Sequence, residues 1–272
     1  MPPAAALAEA LEPLRADPAH SAVLLDIDGT LAPIVRHAAD AHVPEASRTL
    51  LIEISRRYGL VGCVSGRRAA TARQIVSIGS IAYVGNHGGE LLRPGATRPE
   101  LDPDMSAWSE RVRAFAARSY TSELQRARVR SEDKDAIAAF HWRGAPDEEV
   151  AATLVREIAG RAEQEGFVVH WGRKVLEVRP PVALDKGLGL TALLQRAAAD
   201  EGTEIGAALY AGDDTTDIDA FRALRTLVET GTLRRAVCVA IGSEETPPEL
   251  SEGADIVIDG QDGVRGLLEA LL

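Results

Sequence analysis

The feature that most constrains this chain is a series of short, unbroken apolar runs that stop abruptly at Asp, Ser or Gly. They are Ala22–Leu25, Leu60–Val64, Ile81–Val84, Ala207–Ala211, Ala236–Ile241 and Asp255–Ile258. A half-buried strand alternates polar and apolar residues, whereas runs without alternation are strands buried on both faces. The stretches Pro44–Tyr58, Arg67–Ile78, Leu188–Asp200 and Thr216–Thr226 read as helices between them. Strands that alternate with helices give an α/β fold, an open parallel sheet with helices on both faces.

From about Thr97 to Pro181 that rhythm breaks. The pattern predicts a polar helix over Asp104–Leu124, a strand near Ile137–Trp142, a helix over Asp147–Glu165 and two strands around Gly172. Consecutive strands with no crossover helix imply an antiparallel sheet. Pro94-Gly95 and Pro180-Pro181 bracket the segment as linkers do. The expected organisation is a core of residues 1–96 and 183–272 carrying an inserted, smaller α+β cap at 97–182.

Composition narrows the class of partner. With 46% hydrophobic and 26% charged residues over 272 positions, the chain can bury a sizeable core, which must be aliphatic because aromatics are 4%. Its formal net charge of −11 repels nucleic acid and anionic membranes, and an anionic substrate would need local positive groups to overcome that field. Cys63 and Cys238 each sit inside an apolar run and read as small core residues. The Ala-rich start lacks the basic, apolar order of a signal peptide, and no run approaches the roughly 18 residues of a membrane span. The expectation is a soluble, cytoplasmic protein.

In open α/β sheets ligands bind outside the carboxyl ends of the strands, so the residues just after each run carry the chemistry. Asp26-Ile27-Asp28-Gly29-Thr30 places two carboxylates one residue apart at a buried strand end, where they repel and lose hydration unless a cation or hydrogen bonds hold them. At Ser65-Gly66-Arg67 a hydroxyl and helix-start amides can donate to phosphoryl oxygens. Lys186-Gly187 supplies a mobile point cation just before the Leu188 helix. Gly212-Asp213-Asp214-Thr215-Thr216-Asp217 clusters hard oxygen ligands suited to Mg²⁺.

In that order these motifs resemble the haloacid-dehalogenase superfamily, and the chain resembles its trehalose-6-phosphate phosphatase family over almost its whole length. More specific matches are Asp28–Ile34, Gly85-Asn86-His87-Gly88, Glu132-Asp133-Lys134, His141-Trp142-Arg143, Gly172–Glu177 with Arg179-Pro180, and Gly212–Phe221. Two positions depart from the pattern. Ile27 stands where an aromatic residue is usual and should point into the core, and Ile218 stands where an acidic residue is usual, removing a carboxylate near the metal loop.

The resemblance implies that Asp26 attacks phosphorus and that Asp28 protonates the leaving sugar oxygen and later deprotonates water. It implies Mg²⁺ held by Asp26, the Asp28 backbone oxygen and Asp213, with Ser65, Gly66 and Lys186 around the phosphate and Asp214 and Asp217 behind them. The cap would choose the sugar through Glu132, Lys134, Arg143, Lys174 and Glu177, with His87 lining the core side. Glu132 and Lys134 share a face if extended, whereas Lys174 must belong to the turn at Gly172 to act with Glu177. His87 reads equally as a structural histidine, and Arg143 as a surface charge. The implied substrate is a small sugar phosphate, and a trehalose-phosphate synthase is the pathway neighbour, with nothing in the residues to indicate contact. Sucrose phosphate, a mannosyl phosphoglycerate or a hexose phosphate are alternative substrates. A non-catalytic sugar-phosphate sensor is the alternative from another class, opposed by intact Asp26, Asp28, Lys186 and Asp213. No P-loop string occurs, so a P-loop kinase is unsupported.

Overall fold

The computed structural model describes residues 4–35, 40–202, 204–243 and 246–272. The chain divides into two compact units, Met1–Glu100 with Leu184–Leu272, and Leu101–Ala183.

The larger unit is built on the apolar runs. Its strands β1 (Ser21–Leu25), β2 (Leu60–Val64), β3 (Ala82–Gly85), β4 (Glu90–Leu92) and β5 (Glu100–Leu101) form one half of a sheet, and β10 (Ala207–Gly212), β11 (Arg235–Gly242) and β12 (Ile256–Asp259) the other. The order is β12-β11-β10-β1-β2-β3-β4-β5. Pairing is parallel from β12 to β3, in register from Leu25 to Ala211 on one side of β1 and to Cys63 on the other. Odd and even residues of β1 enter different cores. Val23 and Leu25 pack with Leu11, Leu51, Ala72 and Leu267 of the helices α1 (Ala4–Ala16), α2 (Glu45–Arg57), α3 (Ala69–Val76) and α10 (Gly260–Leu271). Ala22 and Leu24 pack with Leu190, Leu193 and Leu224 of α7 (Lys186–Glu201) and α8 (Asp217–Glu229), with α9 (Pro248–Gly253) beside them. Burial on both faces is why the strands carry no polar alternation.

The sheet departs from the expected parallel order at β4, which runs antiparallel to β3. The two are joined by Asn86-His87-Gly88, all three at positive φ (49°, 55° and 107°), a reversal too tight for a crossover helix. At this edge the apolar signal is short and interrupted by Glu90.

The smaller unit comprises α4 (Pro103–Ser119), α5 (Ser122–Arg126), β6 (Arg130–Asp133), β7 (Ala138–His141), α6 (Glu148–Gln164), β8 (Val168–Gly172) and β9 (Val175–Arg179). The strands form an antiparallel sheet ordered β6-β7-β9-β8. Asp102 and Asp147 cap α4 and α6 by accepting two backbone N–H groups each. Phe140 and Leu176 turn one sheet face onto Phe115, Val155 and Ile158. The single helix expected over Asp104–Leu124 is instead two, because the chain leaves helical geometry at Tyr120 and Thr121 restarts it as the cap of α5.

Candidate active site

The carboxyl ends of β1 and β10 and the first turns of α7 and α8 meet in one buried cluster. Asp26 is kept in sheet geometry by its N–H, which donates to the Ala211 carbonyl at 2.8 Å, and Ile27 points into the core with no exposure. The Lys186 ammonium donates to Asp26 Oδ1 and to Asp217 Oδ1, each at 2.7 Å, and lies 3.8 Å from Asp214. Lys186 occupies the first position of α7, two residues earlier than the helix start the sequence suggested, and Asp185 caps that helix through the Leu188 N–H at 2.7 Å.

Asp217 organises the acidic loop. Its Oδ1 accepts from Lys186 and from the Tyr210 hydroxyl at 2.5 Å, and its Oδ2 accepts from the N–H groups of Asp213 and Asp214, each at 2.9 Å. Four donors engage both oxygens of a carboxylate that has no exposure. Asp213 differs. Thr30 reaches its Oδ1 at 3.3 Å, the one side-chain hydrogen bond its carboxylate makes among the described residues. A Cβ at Gly29 would fall 2.0 Å from Asp213 Oδ2, so only glycine, here at φ 94°, lets the β1 loop approach this closely. Gln261 of α10 fixes the same loop by donating to the Thr30 carbonyl at 2.8 Å. Ile218, which stands where the resemblance leads one to expect a further carboxylate, packs against the α7–α8 core.

The electrostatics follow from burial. Burial pushes Asp26 well above the usual carboxylate range; Lys186 opposes this, and Asp217 and Asp213 add to it. Burial, with Asp217 and Asp214 beside it, raises Asp213 to about 7. Burial also raises Asp217 against the pull of Lys186. Lys186 is disfavoured as a cation by its own burial, but Asp26 and Asp217 outweigh this and hold the ammonium charged. Carboxylate oxygens of Asp26, Asp213 and Asp217 lie within 4.8 Å of one another. Three carboxylates against one ammonium leave excess negative charge, and Asp26 and Asp213 retain unengaged lone pairs. This donor set of hard oxygens fits a divalent cation at Asp26 and Asp213, with Asp217 already filled.

At the end of neighbouring β2, Arg67 N–H donates to Ser65 Oγ at 3.1 Å, which leaves the serine proton free to donate elsewhere. A Cβ on Gly66 would meet the His87 ring at 2.6 Å, so the imidazole lies directly against this loop. His87 N–H donates to the Ser65 carbonyl at 3.2 Å. Buried Glu90 holds the left-handed turn behind it, accepting from Asn86 Nδ2 at 2.8 Å and from the Ala69 N–H at 2.7 Å. Arg67 reaches Asp28 with two hydrogen bonds of 2.6 Å. The roles of Arg67, Glu90, Tyr210 and Gln261 escaped the sequence reading: Arg67 and Gln261 act on the β1 end from distant segments, and Glu90 and Tyr210 bond residues nearby in the chain from strand positions that carry no motif.

In the smaller unit the sheet face opposite Phe140 carries a cross-strand row of Glu132, Ala139, Glu177 and His170. Glu177 is buried between Lys134, which donates to its Oε1 at 2.8 Å, and Arg179, which donates from Nε to its Oε2 at 2.9 Å. Burial alone would raise Glu177, but the two cations bring it down to about 2. Glu132 pairs with His141 Nε2 at 2.9 Å, a bond that lowers its carboxyl further, with burial opposing. Lys174 does occupy the β8–β9 turn, at φ 63°, yet its ammonium pairs with Glu148 at the start of α6. Arg143 donates to the Arg173 carbonyl at 3.2 Å at the same turn. The sheet therefore gathers Glu132, Lys134 and Glu177 and leaves Lys174 and Arg143 at another end.

Comparison with known proteins accords with this geometry. The family model described as Trehalose-phosphatase matches residues 24–252. A trehalose-phosphate phosphatase of Mycobacterium avium is 35% identical over 209 residues, covering 76% of this chain and 52% of its own length. The chain thus spans about half the length of that relative, and 15% of an uncharacterized glycosyl hydrolase of Mycobacterium tuberculosis that it matches at 32% identity over 75% of the chain. Among solved structures, the C-terminal domain of a Candida albicans trehalose-6-phosphate phosphatase aligns over 98% of this chain and 96% of its own, with TM-score 0.69 and 21% identity. A haloacid dehalogenase-like hydrolase from Bacteroides thetaiotaomicron aligns over 93% of this chain and all of its own (100%), with TM-score 0.62 and 16% identity, a likeness of fold.

Proposed function

This chain belongs to the trehalose-phosphatase family, and on that footing we propose that it hydrolyses trehalose 6-phosphate to trehalose and phosphate, with Mg²⁺ as cofactor and an aspartyl phosphate, an acyl phosphate on Asp26, as intermediate. The observation that carries the reading is the buried bridge of Lys186 between Asp26 and Asp217, each contact 2.7 Å, beside the underused carboxylate of Asp213.

Because Lys186 engages Asp26 Oδ1, Oδ2 is the oxygen left to attack phosphorus. Two of the three ammonium protons of Lys186 are spent on Asp26 and Asp217, and the third is available to a phosphoryl oxygen. The Ser65 hydroxyl and the Gly66 amide donate to the others. Asp28, two residues beyond the nucleophile, gives its proton to the leaving sugar oxygen and then takes one from the water that cleaves the aspartyl phosphate; such acid–base help contributes roughly 10²- to 10⁴-fold. Asp26, Asp213 and the Asp28 backbone oxygen would hold Mg²⁺, which supplies positive charge that offsets the repulsion between carboxylate and phosphate. Asp214 and Asp217 act behind them, on Lys186 and on the shape of the loop.

Choice of sugar we assign to the cap expected at 97–182, which the smaller unit Leu101–Ala183 nearly coincides with, through Glu132, Lys134 and Glu177. Buried polar groups that are matched by sugar hydroxyls reject a ligand that leaves them unpaired. His87 would add a contact beside Gly66, whereas Lys174 and Arg143 would first have to leave Glu148 and the Arg173 carbonyl. Among the described residues no helix is long and apolar enough to cross a membrane. The buried free thiols of Cys63 and Cys238 suit the reducing cytoplasm, where we place the reaction. Phosphate release from trehalose 6-phosphate, sucrose 6-phosphate and glucose 6-phosphate, each with and without Mg²⁺, tests the proposal. The highest kcat/KM should fall on trehalose 6-phosphate and only with the metal. A preference for either other ester would reject the substrate assignment.

A further inference from the structure

Arg67 belongs to none of the roles above, yet its side chain crosses from the end of β2 to the end of β1. Its Nε donates to Asp28 Oδ2 and a terminal nitrogen to Oδ1, both at 2.6 Å. The backbone of Arg67 is itself pinned, the N–H on Ser65 Oγ at 3.1 Å and the carbonyl accepting the Asn86 N–H at 2.8 Å. A rigid fork on a fixed stem thus meets a carboxylate on a loop. Two parallel bonds fix the plane of a carboxylate as well as its position, which a lysine point charge does not. The pair is partly exposed, with side-chain exposures of 20% and 35%, and pairs of that kind contribute little to stability. What the contact supplies is orientation.

We propose that Arg67 is a positioning residue: when the Asp28 carboxyl carries the proton it will donate, one of the two guanidinium bonds gives way and the other, on the unprotonated oxygen, keeps the carboxyl oriented toward the departing alcohol. The inference rests on the reading of Asp28 as the acid of the first step. It makes Ser65-Gly66-Arg67 a two-sided element, the serine hydroxyl serving the phosphate and the arginine serving the proton donor.

The test uses the whole protein with Mg²⁺ and a series of substituted phenyl phosphates, which share size and shape but differ in leaving-group acidity. kcat/KM reports only the steps up to departure of the alcohol, so it isolates the acid role. In both Arg67→Ala and Arg67→Lys, kcat/KM for unsubstituted phenyl phosphate should fall about 10- to 100-fold, a part of what acid catalysis supplies. For p-nitrophenyl phosphate, whose leaving group needs no proton, the change should stay within about 3-fold. The dependence on leaving-group acidity therefore steepens, and added guanidinium should restore part of the phenyl phosphate rate in Arg67→Ala. Equal losses across the series, a rise in KM alone, or a Lys variant as good as wild type would overturn the proposal. Asp28→Asn in the same series separates the two claims: if it leaves the slope unchanged, the acid reading itself fails. If it steepens the slope while the Arg67 variants do not, only the positioning role falls.

Discussion

Asp213→Asn should make the metal-free protein more stable while removing its activity. In the folded state the Asp213 carboxyl is raised from 3.8 to about 7 by burial and by Asp217 and Asp214. A group with a raised folded pKa binds more protons folded than unfolded between those two values, so stability falls as pH rises through that window. A shift of about 3 units corresponds to about 4 kcal/mol against the fold once pH exceeds 7. Allowing for relaxation around the charge, the neutral amide should recover about 2 to 4 kcal/mol at pH 8, or about 5 to 15 °C in Tm. The gain should shrink steadily as pH falls toward 4, where the wild-type carboxyl is protonated in both states. Thermal unfolding followed by circular dichroism in chelator, at intervals from pH 4 to pH 8, measures it. Wild type should also gain about 2.7 kcal/mol of stability, seen as a rise in Tm, on adding Mg²⁺ at a hundredfold excess over Kd, and the variant should not. A variant less stable than wild type at pH 8 without metal would refute the claim that Asp213 is a strained carboxylate awaiting a cation.

Other substitutions separate chemistry from recognition. Chelation should abolish turnover and Mg²⁺ restore it, while Ca²⁺ restores little because its looser, higher coordination misplaces the attacking carboxylate; full activity in rigorously demetallated protein would contradict this. Glu177→Ala, which leaves Lys134 and Arg179 without their shared partner, should lower kcat/KM for trehalose 6-phosphate by roughly 10- to 200-fold and change p-nitrophenyl phosphate hydrolysis little. Equal losses on the two esters would assign Glu177 to the fold instead. Asp26→Asn should fold and retain less than a few per cent of turnover, as phosphate release will show.

The central sheet was legible because burial on both faces forces unbroken apolar runs, and β1, β2, β10 and β11 each coincide with one. The insert was less so. All four residues of β6, Arg130–Asp133, are exposed and polar, so that strand carries no hydrophobic signal and is specified by pairing with β7. Tyr120 and Thr121 divide a helix whose polar pattern continues on either side. In the site, residue types at strand ends pointed to Asp26, Lys186, Asp213 and Asp217, which do converge. What spacing could not reveal was their order of contact: that Asp217 is filled by four donors while Asp213 is nearly bare, or that Arg67 spans 39 positions to Asp28. The contacts of Lys186, Thr30 and Arg67 depend on strand order, β10 beside β1 beside β2, which links segments far apart in the chain, whereas the bonds of Asp217 to Tyr210, Asp213 and Asp214 are local and depend on the shape of the loop. Strand parity, with the resemblance, put Lys174 in its turn, but its partner Glu148 comes from the preceding helix, α6, and nothing in the motif names it.

The covalent step at Asp26 is the central event of the mechanism. Protein mixed with trehalose 6-phosphate and Mg²⁺, quenched in acid within the first turnovers and analysed by mass spectrometry, should carry one phosphoryl group. Peptide mapping should locate that group on Asp26, and Asp26→Asn should carry none. Rapid turnover with no acid-trapped phosphoprotein at any quench time, or a phosphoryl group on another residue, would contradict the mechanism drawn from this site.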